Sequence, residues 1–187
     1  MLKLYKISSD GKKIRSFHDQ SGNNVARNID ELIKSGKNIY YCSEAGSPVI
    51  SDPGVGLTKS LMALNENLEV VSYGGVCSLI TALEVSKVSF SKFTFHGFFP
   101  RDMKSGSLVL SQAERFSRTH LFFESPQRIH KTLKLIFESN SAPDELYVCR
   151  ELTKKFQEVI RITKENFNEK NEEIKAKGEF VLVLNYL

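Results

Sequence analysis

Residues 43–54, SEAGSPVISDPG, set Glu44 and Asp52 among two glycines, Gly46 and Gly54, and two prolines, Pro48 and Pro53. Proline fixes φ and glycine lets backbone come close to a ligand, so such a segment is ordered before anything binds and presents main-chain groups rather than bulk. A rigid surface turn would use the same residue types. A second small-residue exit, Gly74–Gly75, leaves the next apolar run, however, and two such exits side by side make a ligand cleft. Two later apolar runs end abruptly in charge: LFFESPQR gives Glu124 and Arg128, and CRELTKKFQE gives Arg150, Glu151, Lys154 and Lys155. Charges there are often solvated edges, but the carboxyl ends of core strands are also where general bases and substrate clamps lie.

Other chemistries lack their residues. GVGLTK at 54–59 has neither the third glycine of a dinucleotide fingerprint nor the spacing of a Walker loop. His18, His96, His120 and His130 have no metal-ligand spacing with one another or with cysteine, so no metal is expected. A nucleophile elbow of the Gly-x-Ser-x-Gly type does not occur. Cys42, Cys77 and Cys149 are odd in number, far apart and beside apolar neighbours, which predicts three reduced thiols packed in the core.

The elements that would carry these residues alternate. Val25, Ile29, Leu32 and Ile33 recur at helical spacing, with Asn24 as a cap and Gly36 as a stop. NIYYC reads as a short buried strand, GVGLTKSLMALNEN as a helix on Leu57, Leu61 and Leu64, LEVVSY as a strand, and CSLITALEVS as a helix. That order predicts a parallel α/β sheet. FTFHGFFP, THLFFES, ELYVCREL and EFVLVLNYL read as further strands, and KSGSLVLSQAERF as a helix. PQRIHKTLKLIFES reads as a helix with Pro126 in its first turn, and TKENFNEKNEEIKAKG as a charged surface helix. A lobe boundary is expected near residues 86–92, giving an N-terminal lobe over 1–88 and a C-terminal lobe over 89–187.

With 187 residues, 41% hydrophobic and 26% charged, the chain fits one compact body with two lobes. No apolar run approaches the roughly 20 residues of a membrane span, and the basic N-terminus has no secretory cleavage pattern, so a soluble cytoplasmic protein without a membrane partner is expected. The net charge of +4 is compatible with a polyanionic partner, although most basic residues have acids nearby.

The blocks SEAGSPVISDPG, VVSYGGVCSLITAL, FHGFFP, FFESPQR, CRELTKKFQE and KGEFVLVL stand in the order seen in the 16S ribosomal RNA (cytidine-2′-O)-methyltransferases, and the chain resembles that family of the tetrapyrrole (corrin/porphyrin) methylase superfamily from about IRSFHDQ onward. The resemblance implies a two-lobed α/β fold: an N-terminal lobe with a parallel sheet, truncated because the family's opening strand-loop is not matched, and a C-terminal lobe with a mixed sheet and helices. It implies S-adenosylmethionine in a cleft between the lobes, a homodimer, and small-subunit ribosomal RNA as partner. Where the family has Ser-Asp-Ala-Gly-Thr-Pro this chain has Ser43 to Pro48 with Glu44, and its Pro-Gly-Pro exit is Gly74, Gly75, Val76.

By the same resemblance, Glu44, Ala45, Gly46, Ser47, Pro48, Val49 and Ser51, with Gly74, Gly75, Val76, Cys77 and Ser78, would contact adenosylmethionine. Phe123, Glu124, Gly178, Glu179 and Phe180 would close the pocket. Glu151 or Lys154 would serve as proton acceptor or acceptor-positioner, because a ribose hydroxyl is a poor nucleophile; Arg128 and Arg150 would contact RNA. Two other readings stand beside this one: a methylase acting on a tetrapyrrole or other small substrate, and a non-catalytic truncated relic that binds or dimerises.

Overall fold

The computed structural model describes residues 6–17, 22–43, 46–88, 91–116 and 119–187, apart from the side chains at 22, 23 and 116. Packing divides the chain into two units, Met1–Gly74 and Gly75–Leu187.

The first unit holds α1 (Gly22–Lys34) and α2 (Gly54–Leu64). Ala26 of α1 and Leu57 and Leu61 of α2 are buried together, with Ile29, Ile33, Phe17, Tyr41 and Leu68 packed around them. Leu64, expected on the same face, is exposed. α1 begins before Asn24, so that residue lies inside the helix and not at its cap. Its end is as expected: Gly36 takes φ +80°, its N–H donates to the Ile33 carbonyl, and the Lys37 N–H donates to the Leu32 carbonyl, closing the last turn.

The parallel sheet expected in this unit is not formed: among its described residues there is no strand. Residues 38–43 and 68–73 contain β-branched and aromatic side chains, yet Tyr40, Val70, Val71 and Tyr73 are exposed. Strand propensity reflects fit to a paired, half-buried surface, and among the described residues neither segment is paired as a strand. Cys42 is exposed as well, against the expectation of a core thiol.

The second unit is a five-stranded mixed sheet covered on both faces. In chain order it contains α3 (Ser78–Ser86), β1 (Phe93–Phe98), α4 (Met103–Phe116), β2 (Thr119–Glu124), α5 (Ile129–Glu138), β3 (Glu145–Arg150), β4 (Glu158–Ile162), α6 (Phe167–Glu173) and β5 (Phe180–Asn185). The strand order is β1-β2-β5-β3-β4; β1 and β2 are parallel, joined through α4, and the other pairs are antiparallel. α3 precedes the boundary expected at residue 88, and it is grouped with this unit because Leu79, Ala82 and Leu83 pack on the sheet.

Alternation sorts the strand residues cleanly. Phe122, Leu146, Val148, Ile162, Phe180, Leu182 and Leu184 face α4 and α5. Leu121, Cys149, Val181 and Val183 face α3. Every residue of β5 is therefore buried, as a strand at the centre of a doubly covered sheet must be. Each of these large side chains contributes about 1.5–3 kcal/mol when buried. Gly106 lets α4 approach α5, because a Cβ there would lie 3.2 Å from Leu135 Cδ2 and 3.3 Å from Phe99 Cε1. Burial pushes the Cys149 thiol up to about 12, so it packs as an inert hydrophobe.

β4 was not foreseen from the sequence, where Glu158 and Arg161 interrupt its apolar residues. Pro126 lies in a turn ahead of α5, not in its first turn: the Arg128 and Ile129 N–H groups both donate to the Ser125 carbonyl before the helix starts. No helix among the described residues is long and apolar enough to cross a membrane.

Candidate functional site

One end of the sheet collects the charged residues singled out in the second unit. Because β1, β2 and β3 run out at that end while β4 and β5 begin there, Phe98 pairs with Phe123, Glu124 and Arg150 flank Phe180 from opposite sides, and Arg150 faces Glu158. Phe123, Glu124, Arg150, Glu151, Gly178, Glu179 and Phe180, separated by more than 50 residues in the chain, are thus brought to a common edge.

Glu124 is buried and fully engaged. Its Oε2 accepts from Thr132 Oγ1 at 2.6 Å and from Arg128 Nη2 at 2.8 Å, and its Oε1 accepts from the Ser125 N–H at 2.6 Å. Arg128 in turn donates to the Phe99 carbonyl at 2.5 Å and the Pro100 carbonyl at 3.2 Å. The carboxylate thereby fixes the arginine, and the arginine fixes the exit from β1. Buried charge is tolerated only when paired and hydrogen-bonded in this way. Thr132 escaped the sequence reading; its place one helical turn beyond Arg128, itself four residues after Glu124, was the available signal.

A second cluster joins the turn after β3 to the turn before β5. The Glu151 N–H donates to the Glu179 carbonyl at 2.9 Å, and Glu151 Oε1 accepts from the Glu179 N–H at 2.9 Å and from Lys154 Nζ at 3.1 Å. Lys154 also donates to Glu179 Oε2 at 2.9 Å. The backbone hydrogen bond from Glu179, with help from Lys154, holds the Glu151 carboxyl below its ordinary range. Burial acts to lower the Lys154 ammonium, but its bonds to Glu179 and Glu151 outweigh this and hold it above the ordinary lysine value. Such a carboxylate is a weakened base, and such an ammonium stays charged. Arg150 pairs with Glu158 at 2.9 Å and reaches the Lys177 carbonyl at 3.3 Å. Glu158 escaped the sequence reading because its partner is set by strand register.

In the first unit the glycine- and proline-rich loop is pinned from within. Ser43 Oγ donates to the Gly46 carbonyl at 2.7 Å, and the Tyr41 hydroxyl donates to Asp52 Oδ2. Gly46, Val49 and Ser51 all take left-handed φ, +75°, +78° and +54°. For a β-branched residue such as Val49 that is strained, and strain of this kind collects at ligand clamps and switches. Ser47 and Pro48 lie between these pins, whereas Glu44 and Ala45 fall outside the described residues. Gly74 closes this unit, and Gly75 and Val76 lead the second toward α3. There Cys77 is the N-cap residue of α3 without a side-chain cap, and the first internal bond runs from Thr81 N–H to the Cys77 carbonyl. The N–H groups of Ser78, Leu79 and Ile80 precede that bond and point out of the helix start, a form suited to an anionic group. Among the described residues no three of His, Cys, Asp and Glu come together as a metal site would require.

The family model described as Tetrapyrrole (Corrin/Porphyrin) Methylases matches residues 3–167. A Thermotoga maritima protein called ribosomal RNA small subunit methyltransferase I is 35% identical over 99% of this chain and 80% of its own length. Proteins of the same name from Halalkalibacterium halodurans and Bacillus subtilis are 35% and 36% identical over 92% and 90% of this chain. The chain spans only 58% and 57% of those two relatives. Among solved structures, the methyltransferase CobJ superposes with a TM-score of 0.69 at 16% identity, covering 97% of this chain and 79% of that one. Uroporphyrin-III C-methyl transferase from Thermus thermophilus, complexed with S-adenyl homocysteine, gives 0.58 at 14% over 93% and 77%. These two likenesses establish the fold.

Proposed function

This chain belongs to the tetrapyrrole (corrin/porphyrin) methylase family, and from that premise we propose that it transfers a methyl group from S-adenosylmethionine to small-subunit ribosomal RNA, at a cytidine 2′-hydroxyl. The observation that carries the reading is the 35% identity, over 99% of the chain, to a ribosomal RNA small subunit methyltransferase I.

The residues fit the cofactor in kind. Adenosylmethionine would supply an already activated methyl on a sulfonium, so the protein's task is alignment, with no metal required. In the second unit the open N–H groups at the start of α3 suit the cofactor's carboxylate; the strained Gly46–Ser51 loop, taken by itself in the first unit, has the preset main-chain groups of a ligand clamp. Phe123, on the α3 face of the sheet, and the Gly178–Glu179 turn would border the cofactor from the sheet end, whereas the Phe180 side chain is buried against α4 and α5 and could offer only its main chain.

Glu151 and Lys154 act in this reading as positioners. Glu151 is held ionised with Oε1 already accepting two hydrogen bonds, and Lys154 is held protonated, so neither is set to take the hydroxyl proton, which passes to water as the methyl bond forms. Homodimerisation is part of the proposal; the exposed Tyr40, Val70, Val71 and Tyr73 of the first unit support it as apolar surface for a second copy.

Titration calorimetry with adenosylmethionine tests the pocket. Micromolar binding that weakens when Ser78→Pro removes an N–H at the α3 start is expected; no heat at millimolar ligand would defeat the reading.

A further inference from the structure

The turn between β3 and β4 is rigid and carries an exposed ring. Glu151 and Thr153 both hold left-handed φ, +49° and +64°. The Thr153 N–H donates to Gln157 Oε1 at 2.6 Å, the Lys154 N–H to the Glu151 carbonyl at 3.0 Å, and the Gln157 N–H to the Lys154 carbonyl at 3.1 Å. Within this frame Phe156 is 63% exposed, with Lys155 Nζ 5.6 Å from its ring centroid. The turn before β5 is tied alongside by the Glu151–Glu179 bonds and by Arg150 Nη1 on the Lys177 carbonyl.

Charge on the joined turns is unbalanced in a specific way. Their acids, Glu151, Glu158 and Glu179, are all answered by Lys154 and Arg150. Lys155, Lys175 and Lys177 are exposed and make no ion pair among the described residues. An exposed aromatic ring on a braced turn, beside cations without an acidic partner among the described residues, is the arrangement that holds unpaired nucleotides: stacking is tolerant of base identity, and the lysines add counterion release. One ring on a turn offers too little apolar area for a protein-binding core, and the feature lacks the amphipathic helix of a membrane-surface segment.

We propose that these two turns form an RNA-contact surface on which Phe156 stacks an unpaired base while Lys155, Lys175 and Lys177 take the flanking phosphates. The inference rests on the reading of the chain as an RNA methyltransferase and names where that RNA is gripped. The RNA contact thereby lies beside Arg150, whose guanidinium is engaged with Glu158 and the Lys177 carbonyl.

The test is fluorescence anisotropy with a labelled single-stranded RNA of about 12 nucleotides, within the span such surfaces cover. Phe156→Ala should weaken binding roughly tenfold while Phe156→Trp retains it. Lys155→Ala, Lys175→Ala and Lys177→Ala combined should make the log-affinity against log-salt slope shallower by about 2. Adenosylmethionine binding, measured by calorimetry on the same proteins, should not change. Wild-type affinity and salt slope in both the Phe156→Ala and the triple variants would overturn this surface. Methyl transfer to ribosomal subunits continuing in those variants would leave the proposed function standing. A wild-type protein that binds adenosylmethionine but no RNA would overturn both.

Discussion

The Glu151 side chain lies directly across Gly178: a Cβ placed on Gly178 would sit 2.6 Å from Glu151 Cγ and 2.7 Å from its Oε1. Gly178 also has φ +96°, so the turn before β5 needs glycine for its conformation and for the carboxylate that crosses it. Gly178→Ala should cost about 2 kcal/mol or more, through strain and displacement of Glu151. Glu151→Gln keeps the shape and should cost less. Urea unfolding of the two variants checks this, and a Gly178→Ala midpoint equal to wild type would remove the clasp from the account.

Glu124 should behave as an anchor whose loss is felt through Arg128. Glu124→Ala leaves a half-buried guanidinium and the Thr132 hydroxyl without their acceptor, and breaking a buried pair in this way costs about 3 kcal/mol. Thr132→Val removes one hydrogen bond and should cost about 1 kcal/mol. The double variant should cost less than the two losses added, since both groups share Glu124 Oε2. Additive losses would show that the network does not act as a unit.

The His96–His120 pair gives the second unit a pH dependence. His96 Nε2 and His120 Nδ1 are 2.8 Å apart, and His96 stacks on Phe122 at 4.6 Å. Burial first, and the neighbouring His120 second, hold His96 below its ordinary value of 6.5. With the folded value the lower one, the unfolded chain takes up the proton first. The stabilisation is therefore complete above 6.5 and is lost as pH falls below it, through the folded value. Urea midpoints should drop between about pH 7.5 and 5.5, and His96→Asn should flatten that drop. Equal pH slopes for the two proteins would contradict it.

Much of the second unit was legible before folding because its strands are apolar runs that end in charge. EFVLVLNYL has the continuous hydrophobic character of a strand covered on both faces, and LFFES and ELYVCRE, apolar runs that end in charge, set Glu124, Arg150 and Glu151 at strand ends. β4 was hidden because Glu158 and Arg161 look polar until register sets Glu158 against Arg150 and lets Arg161, opposite Tyr147, reach Glu145. In the first unit IYYC and LEVVSY have strand composition, but a strand exists only as one of a pair, and composition says nothing of the neighbour. That Glu124, Arg150 and Glu151 stand where apolar strands end was legible; what each side chain bonds to was not. Glu151 read as a proton acceptor or positioner, and the choice turns on its contact with Gly178 and Glu179, residues more than 25 positions away that only β3–β5 pairing brings near.

The central claim is methyl transfer to small-subunit ribosomal RNA, and it is tested most directly by incubating the purified protein with methyl-labelled adenosylmethionine and small ribosomal subunits from cells lacking the modification, alongside uroporphyrinogen III. The account predicts label in the RNA, at a cytidine ribose, and none in the tetrapyrrole. Label in the tetrapyrrole alone, or in neither substrate while adenosylmethionine binds, would contradict it.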